Sequence, residues 1–233
     1  MKKIVLVAIG CCLCLTAAAA LAPDDQTLSV TGTGVVQVAP DTAYVKLAVE
    51  VVKKTAQEAQ SDNAATMGRI AAAIVKLGIA SDKVQTAGYY IWPETKYEQN
   101  QPPKLVGYRC TNELSVTVED MAKVSRVIDA SIGAGANSVR GIQFARKNDE
   151  EFKRQALDKA VKDAAAKAQA VAAAAGLKLK RIRNIIESGA VLPAGNDYAG
   201  LRALGGAGGA GETPVNPGLL EVRGNVTLTY KVE

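Results

Sequence analysis

The strongest constraint on the fold sits at the end of the chain. Leu220, Val222, Val226, Leu228, Tyr230 and Val232 alternate with Glu221, Arg223, Asn225, Thr227, Thr229 and Lys231. A period of two sends the apolar set to one side of a strand and the polar set to the other. Such a strand needs a sheet with one covered and one wet face, which is the habit of antiparallel sheets. The pattern recurs near the start. Leu28, Val30, Gly32, Gly34, Val36 and Val38 form one run, Pro40-Asp41 marks a turn, and Ala43, Val45, Leu47, Val49 and Val51 form the next. These two are expected to pair as a hairpin, and the C-terminal strand to join the main sheet. Further strands are expected over 86–98 (interrupted at Pro93), 105–119, 139–146 and 177–187. Asn100 to Pro103 reads as a turn. Within 105–119, Tyr108, Cys110, Leu114, Val116 and Val118 share one face.

Between these runs the period lengthens to that of a helix. Met67, Ile70, Ala71, Ile74 and Leu77 fall on one face of a segment opened by Thr55 and Glu58 as a capping box and stopped by Gly78. A second helix begins at Asp120 and carries Val124, Val127, Ile128 and Ile132 up to Gly133-Ala134-Gly135. The longest follows Asp149-Glu150-Glu151, whose negative charge suits a helix N-terminus, and runs to Gly176. Its expected apolar stripe is Leu157, Val161, Ala164, Ala168, Val171 and Ala175. The fold class is therefore α+β: a largely antiparallel sheet with helices packed on one face, including one long Ala-rich helix. A Gly/Ala/Pro-rich insertion at about 189–218 is expected to be flexible.

The first residues predict export. Lys2 and Lys3 precede an uncharged apolar run from Ile4 to Leu15, and small residues of the Ala17–Ala22 stretch then suit a signal peptidase. The run is too short for a spanning helix, which needs about 20 apolar residues. A signal peptide over 1–20 leaves a single domain over 21–233, without a transmembrane helix, in the periplasm. Cys11, Cys12 and Cys14 leave with the signal, so Cys110 has no partner for an intramolecular disulfide.

Composition removes several functions. The sequence has no histidine, the commonest general base and metal ligand. Net charge is +5, and +3 without Lys2 and Lys3, too mild to argue for nucleic acid. Gly32-Thr33-Gly34 fails as a dinucleotide loop because position 37 is Gln and the segment lies within a strand; a strand bulge or close backbone packing is the expected reason for the glycines. No lysine-serine or lysine-threonine follows Gly205 to Gly211, so that run is no phosphate cradle. Cys110 lies in phase with Leu114 and Val116 and is expected in the core. Lys178, Lys180, Arg181 and Arg183 read as a solvated face or guarded edge. Asp41 is expected to close a turn. No catalytic residue, cofactor site or metal site is nominated, and the chain is expected not to be an enzyme.

The densest aromatics are Tyr89, Tyr90, Trp92, Tyr97 and Tyr108, around the expected 86–110 hairpin. They serve either the core of that hairpin or a protein–protein interface, where Tyr and Trp are enriched. The interface reading leads to a homo-oligomer.

Several short stretches together resemble the SIMPL-domain family. Ser29-Val30-Thr31-Gly32-Thr33-Gly34 with Ala39-Pro40-Asp41-Thr42-Ala43 is similar to its opening. Leu77-Gly78-Ile79, Gln85-Thr86, Gly107-Tyr108, Asn112 to Val118, Gly135-Ala136-Asn137-Ser138-Val139, Gly141-Ile142, Phe144 and Ala174-Ala175-Gly176-Leu177 continue the likeness in order. The resemblance implies a bacterial exported protein, periplasmic or attached to the outer membrane. It further implies kinship with immunogenic envelope antigens, with oxidative-stress defence proteins and with ring- or channel-like oligomers. It carries no catalytic residues. Two functional readings follow: a non-enzymatic, oligomeric envelope protein protective under oxidative or envelope stress, or a periplasmic binding module for a small ligand or cell-wall fragment.

Overall fold

The computed structural model describes residues 26–100, 102–191 and 213–233. The expected signal peptide and the Gly205–Gly211 run lie outside them. The strands are β1 (Thr27–Val38), β2 (Thr42–Lys53), β3 (Val84–Lys96), β4 (Lys104–Val118), β5 (Ser138–Ala145), β6 (Leu179–Val191) and β7 (Leu220–Val232). The α-helices are α1 (Ala56–Lys76), α2 (Val124–Ala134) and α3 (Glu150–Ala174). All strand pairs are antiparallel and the helices cover one face, as the alternation requires.

The strands divide between two sheets, in the orders β1-β7-β6 and β3-β4-β2-β5. The expected β1–β2 hairpin does not form. β1 pairs instead with β7, Leu28 opposite Tyr230 and Val38 opposite Leu220, while β2 lies between β4 and β5. Pro40 and Asp41 are the corner where the chain leaves one sheet for the other. The Asp41 N–H donates to the Ala145 carbonyl at 3.1 Å. Its carboxylate accepts from the Lys147 N–H at 2.9 Å and the Thr42 hydroxyl at 3.0 Å, and meets Arg146 Nε at 3.3 Å. Burial pushes this carboxyl up, but those donors and the Arg146 charge outweigh it and hold it below its ordinary value.

α1 and α2 pack on the four-stranded sheet. The Thr55 hydroxyl accepts from the Glu58 N–H, and the Glu58 carboxylate accepts from the Thr55 N–H, so the capping box is present. Met67, Ile70 and Ile74 are buried from α1, and Val124, Val127 and Ile128 from α2. Ile132 is exposed, and Ser131 takes the buried place, its hydroxyl satisfied by the Val127 carbonyl at 2.6 Å. Asn137 extends β5 with its side chain: Nδ2 donates to the Glu50 carbonyl at 2.7 Å and Oδ1 accepts the Glu50 N–H at 2.9 Å.

α3 lies on β1 and β7 through a ridge of alanines. Ala156, Ala160, Ala164, Ala168 and Ala172 are buried, whereas Val161 and Val171 of the expected stripe are exposed. The cause is on the sheet. A Cβ at Gly32 would stand 2.7 Å from the Ala164 Cβ and closer still to the Ala160 carbonyl oxygen; one at Gly34 would stand 2.6 Å from the Ala160 nitrogen. Helix and strand backbones approach too closely for anything larger than alanine. Of the two expected reasons for the glycines, a bulge or close packing, the second holds: β1 pairs regularly with β7 through both of them.

Of the expected flexible insertion, residues 189–191 belong to β6. Its far end is tied to α2, because the Thr213 hydroxyl donates to Asp129 Oδ1 at 2.6 Å, and Val215 packs against the core.

Candidate functional site

The β3–β4 hairpin contains the predicted aromatic set. Its strands pair from Val84 opposite Val116 to Lys96 opposite Lys104, while β2 ends opposite Tyr108. The hairpin therefore projects beyond the four-stranded sheet. Pro93 is accommodated because β3 is an edge strand, where a missing N–H costs no ladder bond. Gly107 sits under the end of β2, where a Cβ would clash with the Lys53 carbonyl.

Strand alternation splits the aromatics between two faces. Tyr89 and Tyr108 lie on the helix side, in register with Asn112 and Pro93. Tyr90 and Trp92 lie on the open side, their ring centroids 6.0 Å apart and tilted by 43°. Packing inside the hairpin does not absorb them: Trp92 is 43% exposed, Tyr90 50% and Tyr97, near the tip, 77%. Tyr108 is half-buried. The structure thus gathers Tyr89, Tyr90, Trp92 and Tyr108 on one hairpin, with Tyr97 beyond them.

Beside Tyr90 and Trp92 runs an ion-pair network that crosses the whole sheet. Arg109 on β4 grips Glu94 on β3 with two bonds, Nε to Oε2 at 2.8 Å and Nη2 to Oε1 at 2.9 Å. Its Nη1 reaches Glu50 on β2 at 3.3 Å. Arg140, in a bulge of β5, meets Glu50 at 2.5 Å and Glu113 at 3.4 Å. The Arg109 guanidinium holds the Glu94 carboxyl below its ordinary range, and Glu94 in turn raises Arg109. A carboxylate held charged in this way is a poor general acid or base at neutral pH. The network escaped the sequence reading because its members lie on four strands far apart in the chain. The available signal was the charged outward positions of the alternating strands.

Cys110 is fully buried on the helix side, as its phase predicts. The Tyr89 hydroxyl lies 3.7 Å from its Sγ, and the hydrogen bond between them, with burial, raises the Tyr89 phenol. Above it Asn63 of α1 donates from Nδ2 to the carbonyls of Val49 at 2.9 Å and Cys110 at 3.3 Å. The thiol is therefore a packed core group. Lys178, just before β6, and Lys180, Arg181 and Arg183 within it are exposed, Lys180 pairing with Glu233 at 2.7 Å.

Comparison with known proteins places this geometry. The model of the SIMPL family, described as a protein of unknown function (DUF541), matches residues 28–230. A 26 kDa periplasmic immunogenic protein of Brucella melitensis is 33% identical over 165 residues, covering 69% of this chain and 66% of the relative. The uncharacterized protein YggE of Edwardsiella ictaluri is 24% identical over 167 residues, 72% of this chain and 70% of the relative. YggE of Escherichia coli K12 is 25% identical over 150 residues, 64% of this chain and 61% of the relative. The chain spans just under two thirds of the length of the Brucella relative. Since the family match runs from β1 into β7, across both sheets and every helix between them, this chain belongs to the SIMPL family.

Proposed function

We propose that this chain is an exported, periplasmic envelope protein that acts without catalysis, as a homo-oligomer joined through the β3–β4 hairpin. The observation that carries the oligomer is the exposure of Tyr90 and Trp92 on the open face of the hairpin, and of Tyr97 towards its projecting end, in a chain with one Trp and two Phe. Aromatics left in water at such a place are the usual anchors of a protein contact. Pro93, inside β3, stiffens the hairpin and lowers the ordering cost of association. Export is supported by the Lys2-Lys3 and apolar leader, and the periplasm by the name of the Brucella relative. No helix among the described residues is long and apolar enough to cross a membrane. Absence of catalysis is supported by the lack of histidine and by the burial of Cys110 away from any base. Outer-membrane association and protection under oxidative or envelope stress rest on the family resemblance alone.

Light scattering of the wild type, Trp92→Ala and Tyr97→Ala at matched concentration tests the contact. Truncating a buried interface aromatic commonly costs about 2 kcal/mol or more, enough to shift association more than tenfold. Both variants should keep a folded circular dichroism spectrum and lose mass. A monomeric wild type refutes the oligomer, and an oligomer indifferent to both changes refutes the hairpin contact. N-terminal sequencing of the exported protein should begin near Leu21; an intact Met1 would refute cleavage. A second reading, a binding module for a small ligand or cell-wall fragment, is favoured by the Tyr90–Trp92 pair standing beside Arg109, Glu94 and Glu50 on one open face. A ligand-dependent thermal shift in a monomer would select it.

A further inference from the structure

Between α1 and the β3–β4 hairpin lies a group of buried polar atoms whose bonding the protein alone does not complete. The Asn63 amide stands over the ladder between β2 and β4, its Nδ2 shared between the Val49 carbonyl at 2.9 Å and the Cys110 carbonyl at 3.3 Å. Asn63 is fully buried, yet its Oδ1 meets no donor among the described residues. Asn112 lies on the same side of the sheet, two residues from Cys110 and in register with Val49 and Tyr89. Its Oδ1 is also buried and also meets no donor there. Val49 is the common neighbour of the two amides, so both belong to one patch about a strand spacing across, roughly 5 Å. Tyr89 closes this patch from the edge strand: the residue is 46% exposed, but its hydroxyl turns inward to the Cys110 thiol.

A buried acceptor without a donor gives up its hydration and receives nothing in return. Folded proteins rarely leave such atoms alone, and an internal water making about three hydrogen bonds is a common partner. Counting protons selects the ligand. The thiol and the phenol carry one each, and their mutual bond uses one of the two, which leaves one donor. A water molecule accepts that donor and gives its own two protons to Asn63 Oδ1 and Asn112 Oδ1, so every group is satisfied. A metal ion or an ammonium group would instead bring charge into a set of neutral side chains with no carboxylate among them.

We propose that Asn63, Asn112, Tyr89 and Cys110 form a binding site for one internal water, a bridge from α1 to both strands of the hairpin. β3 is an edge strand with a neighbour on one side only. The bridge holds Tyr89, and with it the strand that carries Tyr90 and Trp92 on its other face. The site stands whether or not the hairpin serves an intermolecular contact.

A crystal structure at a resolution that shows ordered water should place one water within hydrogen-bond distance of Asn63 Oδ1, Asn112 Oδ1 and the thiol–phenol pair. In solution, the nuclear Overhauser effect from water to the Asn63 side-chain amide protons should have the sign of a long-lived contact. Asn112→Leu, similar in shape and unable to accept, should lose the water, lower the melting temperature by about 3 °C or more, and speed amide exchange at residues 89–92 roughly threefold or more. Tyr89→Phe, which removes only a hydroxyl, should keep the fold and weaken the same effect even if Asn112→Leu does not fold. Absence of water density at the two amides, or protein donors reaching both oxygens, would overturn the site. A higher melting temperature for Asn112→Leu would do the same, since it would mean that an unsatisfied acceptor had been removed. An unchanged effect in Tyr89→Phe would overturn the part given to Tyr89, and a peak at metal-coordination distances would overturn water as the ligand.

Discussion

Adding one methyl group at Gly34 tests how closely α3 lies on β1. The new Cβ would stand 2.6 Å from the Ala160 nitrogen and closer still to the Ala156 carbonyl oxygen. Ordinary carbon contacts sit at about 3.5–4.0 Å, so the helix must retreat by roughly an ångström. Both obstacles are backbone and cannot rotate away. Overpacking of this kind costs about 1–3 kcal/mol, and a rigid obstacle puts it at the upper end. Replacing glycine in a strand returns about 0.5–1 kcal/mol of chain entropy. The net loss is therefore about 2 kcal/mol, or roughly 4–8 °C of melting temperature for a chain of this size. Gly68 provides the control. It lies in α1 with nothing within 4 Å of its would-be Cβ, so Gly68→Ala should gain about 0.8–1.0 kcal/mol. Urea unfolding followed by circular dichroism reads both. The same chemical change should move stability in opposite directions, and Ala160→Gly should not rescue Gly34→Ala, because the clash is with backbone. A neutral or stabilising Gly34→Ala would refute the close approach.

Asp41, Glu94, Glu119 and Asp163 are all held below their ordinary carboxyl values: Asp41 by donors that outweigh its burial, Glu94 by Arg109, Glu119 by Lys147 and then Lys83, and Asp163 by Lys167 and the Thr33 N–H. A folded value below the unfolded one gives stability that is present above the unfolded pKa, about 3.9–4.3, and lost as pH falls through the folded value. Melting temperature should therefore be flat between about pH 5.5 and 7.5, where a histidine would titrate, and fall below about pH 4; a step near neutrality would contradict this. Asn137→Ala removes both side-chain bonds to Glu50 and should cost about 1 kcal/mol in urea, since water can replace part of what is lost at an exposed site. Cys110 should react slowly with a thiol reagent in the native protein and quickly in denaturant; fast native labelling would contradict its burial.

Local signals in the sequence were enough to mark nearly every element. Alternation located β1, β2, β4 and β7, because a half-buried strand writes its own period into the residues. Thr55 and Glu58 marked the start of α1, and the glycine after each helix marked its end, because caps are satisfied within a few residues of chain. The same phase placed Cys110 in the core. The aromatic cluster was visible as composition, and the Gly32-Thr33-Gly34 context already argued for packing over nucleotide binding.

Tertiary structure decided what no local period contains. Alternation says which face of a strand is buried and not which strand lies beside it, so β1 was assigned to its sequence neighbour β2 when its partner is β7, almost two hundred residues away. The side of α3 that faces the sheet was likewise undetermined by hydrophobicity. Valine is more apolar than alanine, yet the alanines are buried and Val161 and Val171 are not, because the facing glycines of β1 leave no room for a larger side chain. Whether Tyr90 and Trp92 were core or surface depended on which face of β3 the helices cover, and the network of Arg109 and Arg140 depended on four strands meeting in register. Close packing and strand order are relations between distant segments, and a residue pattern read along one chain records only the part of those relations that falls within a few turns or a single strand.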